Sequence, residues 1–172
     1  EYALANLAMA IDAHRRILDL EPDDHAAIDA LESLYGSGEQ WTDLLEIYRR
    51  KLDWFEAGNE RNALQFKIAQ LLEDLLSDPQ GAIAVYSEIL EDMPGDESAL
   101  RALARLYQSE AMWVELADVL EQQVGLEEDD IARANLQVRL GELREQRLGE
   151  TEQGLAVYQT VLAEHPDHEG AR

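Results

Sequence analysis

The chain has 172 residues, close to the size of one domain. Its hydrophobic fraction of 46% is that of a folded protein, so the 30% of charged residues does not indicate disorder. With 14 Lys and Arg against 37 Asp and Glu, the formal net charge is −23, which excludes nucleic acid and anionic membranes as expected partners. The absence of cysteine excludes disulfides, thiolate metal sites and cysteine nucleophiles. No apolar run is long enough to predict a membrane-spanning helix.

The dominant feature of the sequence is an internal repeat of 72 residues. Pro22, Pro94 and Pro166 are separated by this interval. Other residues keep the same spacing without a gap: Leu34-Tyr35 and Leu106-Tyr107, Trp41 and Trp113, Leu64-Gln65 and Leu136-Gln137, Val85-Tyr86 and Val157-Tyr158. We therefore divide the chain into the end of a preceding repeat (1–22), two full units (23–94 and 95–166) and the start of a further one (167–172).

The first residue is Glu1, and residues 1–6 are predicted to be the end of a helix. We therefore expect the chain to be a segment of a longer array. The basic residues are almost all Arg, a bias that suggests a bacterial protein from a GC-rich genome, and the lack of cysteine favours a cytoplasmic location.

Apolar residues recur with helical spacing throughout, and no stretch shows strand-like alternation. The predicted helices are 7–20, 24–36, 41–56, 60–76, 79–92, 96–109, 112–126, 130–148 and 151–164. Asp78 before Pro79 is a typical helix start, and Asp129 with Asp130 favours another. Each unit then contains two antiparallel helix pairs whose apolar stripes only the next pair covers. The expected fold is all-α, a right-handed α-α superhelix, or solenoid, of stacked helix pairs.

This pattern resembles the tetratricopeptide repeat, in which a first helix carries Leu, a small residue and Tyr, and a second carries Ala, an aromatic residue and a closing Pro. The second-helix positions are matched by Ala10, His14 and Pro22, by Ala82, Tyr86 and Pro94, and by Gly154, Tyr158 and Pro166. The first-helix positions are matched by Leu103-Ala104 with Tyr107, by Ile68-Ala69 with Leu72, and by Leu140-Gly141. The resemblance covers almost the whole chain, as about four repeats plus a leading helix. It implies a noncatalytic scaffold that binds a protein or an extended peptide.

The aromatic residues are interpreted as core. Trp41 and Trp113 occupy equivalent positions beside a turn, so we expect each to be a wedge between neighbouring helix pairs rather than a binding residue. Tyr86 and Tyr158 are assigned to the core for the same reason.

Catalytic and metal-binding patterns are weak, and we expect no enzyme, no cofactor and no metal. The turn from His165 to His168 is interpreted as solvated, because its proline places the side chains irregularly for a metal. The run from Glu127 to Asp130 lacks the alternating ligands and the central glycine of a calcium loop, and a helix start explains it better. No glycine-rich phosphate loop is present, and no serine has a base partner in its sequence context.

The distribution of the few basic residues is more informative. In tetratricopeptide arrays the first helices line the concave groove, which implies a candidate binding face here. Its residues are Phe66, Lys67, Arg101, Arg105, Gln108, Val138 and Arg139. We expect a locally positive or mixed groove within an acidic shell, suited to a peptide with acidic groups or a free carboxylate. A simpler interpretation, in which these arginines only pair with acids of the adjacent helix, remains open.

Three further expectations concern partners. The outward residues Glu46, Glu88, Glu91, Asp118 and Glu121 offer a rival surface that would recruit a basic protein. The array is alternatively a regulatory or substrate-docking appendage of an enzyme domain elsewhere in the parent chain. Because the ends of a solenoid expose apolar stripes, end-to-end self-association is also expected.

Overall fold

A computed structural model describes residues 2–171, with side chains for residues 5–171. Nine α-helices lie in this part of the chain, and it contains no strand. They are α1 (Tyr2–Leu20), α2 (His25–Ser37), α3 (Trp41–Leu52), α4 (Asn59–Gln70), α5 (Pro79–Asp92), α6 (Glu97–Ser109), α7 (Trp113–Leu126), α8 (Asp130–Leu143) and α9 (Thr151–Glu164). A short 3-10 turn, Glu169–Ala171, follows. The structure confirms the all-α helical-repeat fold.

The chain divides into two compact units, Glu1–Glu88 and Ile89–Arg172, whose boundary falls within α5. In the first unit α1 packs on α2, α2 on α3, and α3 on α4. In the second, α6 packs on α7, α7 on α8, and α8 on α9. Each unit has its own buried side chains, which include Ile28, Leu31, Ile68 and Leu72 in the first and Leu100, Leu103, Leu120 and Val161 in the second.

The backbone repeats with the same 72-residue interval as the sequence. Asp24 and Asp96 both cap a helix, accepting hydrogen bonds from the backbone N–H three residues ahead at 2.7 and 2.8 Å. Glu39 and Ala111 have φ of 53° and 57°, and Ser77 and Gly149 have φ of 53° and 72°. Because non-glycine residues rarely adopt this left-handed conformation, its recurrence at equivalent positions shows that the units share one backbone design.

The helices that open the second pair of each unit end in a widened turn that the sequence did not predict. α4 continues as a π-helical turn over Leu71–Leu75, and α8 does so over Arg144–Leu148. The N–H of Leu76 donates to the carbonyl of Leu71, five residues back, at 3.0 Å. π-helical turns are rare in proteins, so the occurrence of one at the equivalent position of each unit is further evidence of the repeat.

Apart from the π-helical turns, two helix boundaries differ from the prediction by more than one residue. α1 is continuous from Tyr2, so the break expected before residue 7 is absent. α3 ends at Leu52 rather than 56, because the chain turns and the Trp54 indole stacks on the His25 imidazole with ring centroids 3.7 Å apart. The predicted start of α5 is confirmed, since Asp78 accepts a hydrogen bond from the N–H of Gly81 at 2.9 Å. Asp129 caps α8 in the same way.

α8 and α9 approach each other through two glycines. A Cβ added to Gly154 would lie 2.9 Å from the Gly141 carbonyl oxygen, and one added to Gly141 would lie 2.7 Å from the Tyr158 ring. The first of these contacts is with backbone, which cannot rotate away. The first unit has Ala69 and Ala82 at the equivalent positions.

We expect Gly154→Ala to destabilise the protein by about 1–3 kcal/mol, because the clash outweighs the gain in helix propensity of about 1 kcal/mol. The matched control is Gly36→Ala in α2, where an added Cβ meets nothing within 4 Å. This control is expected to stabilise the protein by about 0.5–1 kcal/mol. Urea unfolding followed by circular dichroism measures both effects, and equal stabilisation by the two variants would contradict the close approach.

Candidate functional site

The second unit contains a surface groove between α6 and α8 with a volume of about 650 Å3. We call it the arginine groove and define it by Arg101, Arg105, Gln108, Gln123, Leu136 and Arg139. Its lining also includes Ala104 and Ser109 but no Asp or Glu. In a chain with a net charge of −23, a groove lined by three arginines and no carboxylate is a marked departure from the average surface.

The helical period explains how the arginine groove arises. Along α6, Arg101, Arg105 and Gln108 recur at intervals of four and three residues and therefore share one face. The opposite face is apolar and buried, with Leu103 only 2% exposed. Packing of that face against α7 fixes the direction in which the arginines project, so core residues position the groove.

Two of the three groove arginines, Arg139 and Arg101, have polar partners within the second unit. Arg139 Nη2 donates to Gln108 Oε1 at 2.6 Å, a bond between α8 and α6 that leaves the arginine charge facing a neutral amide. Arg101 Nη1 lies 3.4 Å from Glu97 Oε2 on the same helix, with both side chains about two-thirds exposed. An exposed ion pair of this kind contributes only about 0.3–0.5 kcal/mol, so an incoming carboxylate can replace it.

Next to the arginine groove lies a second depression of about 410 Å3, which we call the leucine pocket. Its apolar lining consists of Leu100, Leu126, Ala132 and Leu136. Its polar rim consists of Glu97, Arg101, Gln123, Glu127, Asn135 and Arg139. The two depressions share Arg101, Gln123, Leu136 and Arg139, so they form one continuous surface.

The structure brings together four of the seven residues predicted for binding: Arg101, Arg105, Gln108 and Arg139 all line the arginine groove. Val138, expected as an apolar contact there, is 7% exposed and packs with Ala134, Val161 and Ala171. The 3-10 turn Glu169–Ala171 folds onto α8 at this point. Leu136 is the apolar side chain that the groove presents instead.

The other two predicted residues, Phe66 and Lys67, lie on α4 in the first unit. Phe66 is half-buried, and its ring meets the ring of Tyr86 edge to face at 5.7 Å. Lys67 Nζ lies 5.9 Å from the centroid of the Tyr48 ring. Both side chains therefore have aromatic neighbours in their own unit.

In the first unit, the positions equivalent to the arginine groove are occupied by side chains that pair with one another. The 72-residue interval relates Asp29 to Arg101 and Lys51 to Gln123. Lys51 Nζ donates to Asp29 Oδ1 at 2.7 Å and also to the carboxylate of Glu32. Burial lowers the pKa of Lys51, but the hydrogen bonds to Asp29 and Glu32 more than offset this effect, so its pKa is raised. The ammonium group therefore stays charged and paired at neutral pH.

The region equivalent to the leucine pocket is also covered in the first unit. His25, the counterpart of Glu97, stacks on Trp54 with the ring planes 8° from parallel. Lys51 Nζ lies 5.5 Å from the Trp54 ring centroid. An aromatic ring of the chain itself thus lies against residues whose counterparts line the leucine pocket.

The aromatic residues expected in the core are buried to different extents. Tyr86 is 3% exposed, which confirms its assignment. Trp41 and Trp113 are only half-buried, and the Arg147 guanidinium lies 5.0 Å from the Trp113 ring centroid, so neither indole is a fully buried wedge. Tyr158 is half-buried, and its hydroxyl donates to Glu145 Oε2 at 3.3 Å. Burial and the nearby Glu145 carboxylate raise the pKa of Tyr158.

Neither a cluster of three metal-ligand side chains nor a membrane-spanning helix lies in the described part of the chain. Within it, no three His, Asp or Glu side chains converge as metal ligands. His168 Nε2 lies 3.2 Å from Asn135 Oδ1, so that imidazole has an amide neighbour. Between residues 2 and 171, no helix has both the length and the apolar composition needed to cross a membrane.

Comparison with known proteins identifies the repeat. Residues 99–130 and 135–168 each match a tetratricopeptide repeat model. The fold is similar to that of YrrB, described as a TPR protein with an unusual peptide-binding site (18% identity over 99% of this chain and 84% of that one, TM-score 0.52). It is also similar to MamA (13% identity, 96% and 92%, TM-score 0.52) and to a tetratricopeptide repeat protein from Parabacteroides merdae (16% identity, 99% and 66%, TM-score 0.54).

A search of curated proteins found no match to the chain. At these identities the structural similarities show a shared fold, and the two sequence matches show the repeat itself. The second unit therefore contains two segments that match the tetratricopeptide repeat, and the chain shares the fold of solved tetratricopeptide repeat proteins.

Proposed function

We propose that the protein is an interaction scaffold whose second unit binds an acidic, extended segment of a partner protein in the arginine groove. Tetratricopeptide repeats and neighbours of the same fold indicate a protein-interaction scaffold. The observation that carries the finer proposal is the lining of the groove, with three arginines and no carboxylate in a strongly acidic chain.

The chemistry of arginine favours this class of ligand. A guanidinium group presents several N–H donors in a fixed plane and binds a carboxylate through two parallel hydrogen bonds. Arg101, Arg105 and Arg139 come from two helices, so a chain lying in the groove can meet more than one of them. The helices are formed before binding, which reduces the ordering cost on the side of the scaffold.

The similarity to YrrB gives indirect support, since the description of that protein includes a peptide-binding site. The rival surface, in which outward glutamates recruit a basic protein, has less support in the structure. Glu121 is paired with Arg144, and Glu88 accepts a hydrogen bond from Gln65 Nε2 at 3.1 Å. Two of the five acidic groups of that surface are thus already paired within the chain.

The first unit suggests a sharp test, because Lys51 and Asp29 show that side chains at these two repeat positions reach each other. We expect Gln123→Glu to place a carboxylate within reach of Arg101 and so to compete with the ligand from inside the protein. Fluorescence anisotropy with a labelled peptide of alternating Glu and Ser measures the effect. We expect about a tenfold loss of affinity, equivalent to about 1.4 kcal/mol.

The matched control is Gln122→Glu, which adds the same charge at the neighbouring exposed position outside the groove lining. It is expected to change affinity less than about twofold, since exposed charges are screened by solvent and salt. Equal losses in the two variants would contradict a localised site. If the wild-type protein bound a peptide of alternating Lys and Ser more tightly than the Glu and Ser peptide, the proposed positive charge of the groove would be wrong.

A further inference from the structure

We infer that the leucine pocket is an aromatic subsite, which takes one Trp, Tyr or Phe side chain of the acidic segment bound in the arginine groove. This inference rests on the proposed function, because the same ligand occupies both depressions. It adds a requirement that charge alone does not impose, namely an aromatic residue close to the acidic ones.

The internal repeat shows what fills the equivalent region of the first unit. In the first unit the Trp54 ring lies flat on His25 and near Lys51. The counterparts of these two residues are Glu97 and Gln123, which line the leucine pocket. The second unit has no aromatic residue at the Trp54 position, since Leu126 stands there and is 46% exposed. An aromatic ring from a partner would restore the contact that the first unit makes within itself.

The leucine pocket has an apolar lining and a rim of mixed charge. Leu100, Leu126, Ala132 and Leu136 give it an apolar lining, and its volume of about 410 Å3 is in the range of small-ligand sites. Its rim carries both signs of charge, with Glu97 and Glu127 opposing Arg101 and Arg139. This rim gives little net attraction for a carboxylate, so the pocket favours a neutral ring, whereas the arginine groove favours the acids.

The leucine pocket is continuous with the arginine groove. Arg101, Leu136 and Arg139 line both depressions, so a bound chain passes from one to the other without crossing an intervening ridge of residues. Arg101 and Arg139 can also lie against the face of a bound aromatic ring, an arrangement that adds cation–π attraction.

The experiment compares the labelled Glu and Ser peptide with a set in which one Trp replaces each Ser in turn. We expect the best Trp peptide to bind wild-type protein about tenfold more tightly than the parent peptide. Leu126→Trp, which supplies the ring from the chain itself, is expected to abolish this gain. Val114→Trp is the matched control, since Val114 lies on the same helix, is 60% exposed and lines neither depression.

A second readout does not depend on any variant. The methyl groups of Leu100, Leu126 and Leu136 are expected to shift upfield in NMR spectra when the Trp peptide is added, because they would lie over the indole ring. An absent affinity gain, absent ring-current shifts, or a gain that survives in Leu126→Trp would overturn the aromatic subsite. Failure of the parent peptide to bind wild-type protein would instead overturn the proposed function, so the two failures are distinguishable.

Discussion

Reversal of two charges, Arg101→Glu with Arg105→Glu, is expected to weaken binding of the Glu and Ser peptide about 100-fold or more. Each arginine offers a charge-assisted hydrogen bond to a carboxylate worth about 1.5 kcal/mol, and each glutamate adds repulsion. The sum of about 3 kcal/mol corresponds to two orders of magnitude in affinity. Fluorescence anisotropy at low and moderate ionic strength measures the loss.

The control for net charge is Arg15→Glu with Arg16→Glu, which changes the charge by the same amount in the first unit. Arg15 pairs with Asp43 at 3.2 Å and Arg16 with Asp12 at 3.0 Å. If the groove is the site, this control loses less than about fivefold, through long-range repulsion alone. A comparable loss in both double variants would show that binding follows total charge and not the arginine groove.

Leu103→Ala is expected to lower the free energy of unfolding by about 3–4 kcal/mol. The side chain is 2% exposed on the buried face of α6, opposite the arginines, so its removal leaves a cavity in a close-packed interior. The counterpart Leu31, 1% exposed, occupies the same repeat position in the first unit, and Leu31→Ala is expected to cost a similar amount. Urea unfolding followed by circular dichroism measures both.

The control for this pair is Val114→Ala, since that side chain is 60% exposed. Its effect is expected to lie within about 0.5 kcal/mol of zero. If either leucine variant cost less than about 1 kcal/mol, that leucine would not be part of a packed core, and the register assigned to its helix would be wrong. In the case of Leu103, the direction in which Arg101 and Arg105 project would then be wrong too.

Most of the fold was predictable because it depends on short-range features of the sequence. Asp78 before Pro79 specifies a helix start through local hydrogen bonding, and the 72-residue interval transfers each assignment from one unit to the other. The end of α3 was not predictable from local pattern, because it depends on a stack between Trp54 and His25, residues that are distant along the chain. The π-helical turns at the ends of α4 and α8 likewise have no simple sequence signal.

The candidate site was predictable only where a helix has one clear apolar face. α6 has such a face, so the pattern placed Arg101, Arg105 and Gln108 together on the opposite side, where they line the arginine groove. α8 carries apolar residues in several directions, and the pattern alone did not show that Val138 is buried and Leu136 faces the groove. Gln123 was missed because α7 was assigned to the outer surface, although the end of that helix reaches the groove.

The two units differ at the proposed site: the second has an open cationic groove where the first pairs Lys51 with Asp29 and Glu32. NMR titration of the isotope-labelled chain with the Glu and Ser peptide tests this most directly, because each unit reports separately. A binding site in the arginine groove predicts saturable amide shifts at Arg101, Arg105, Gln123 and Arg139 and guanidinium shifts at the three arginines, with the signals of Asp29, Ser33, Lys51 and Lys67 unchanged. Shifts of similar size at both sets of positions, or shifts confined to the first unit, would contradict it.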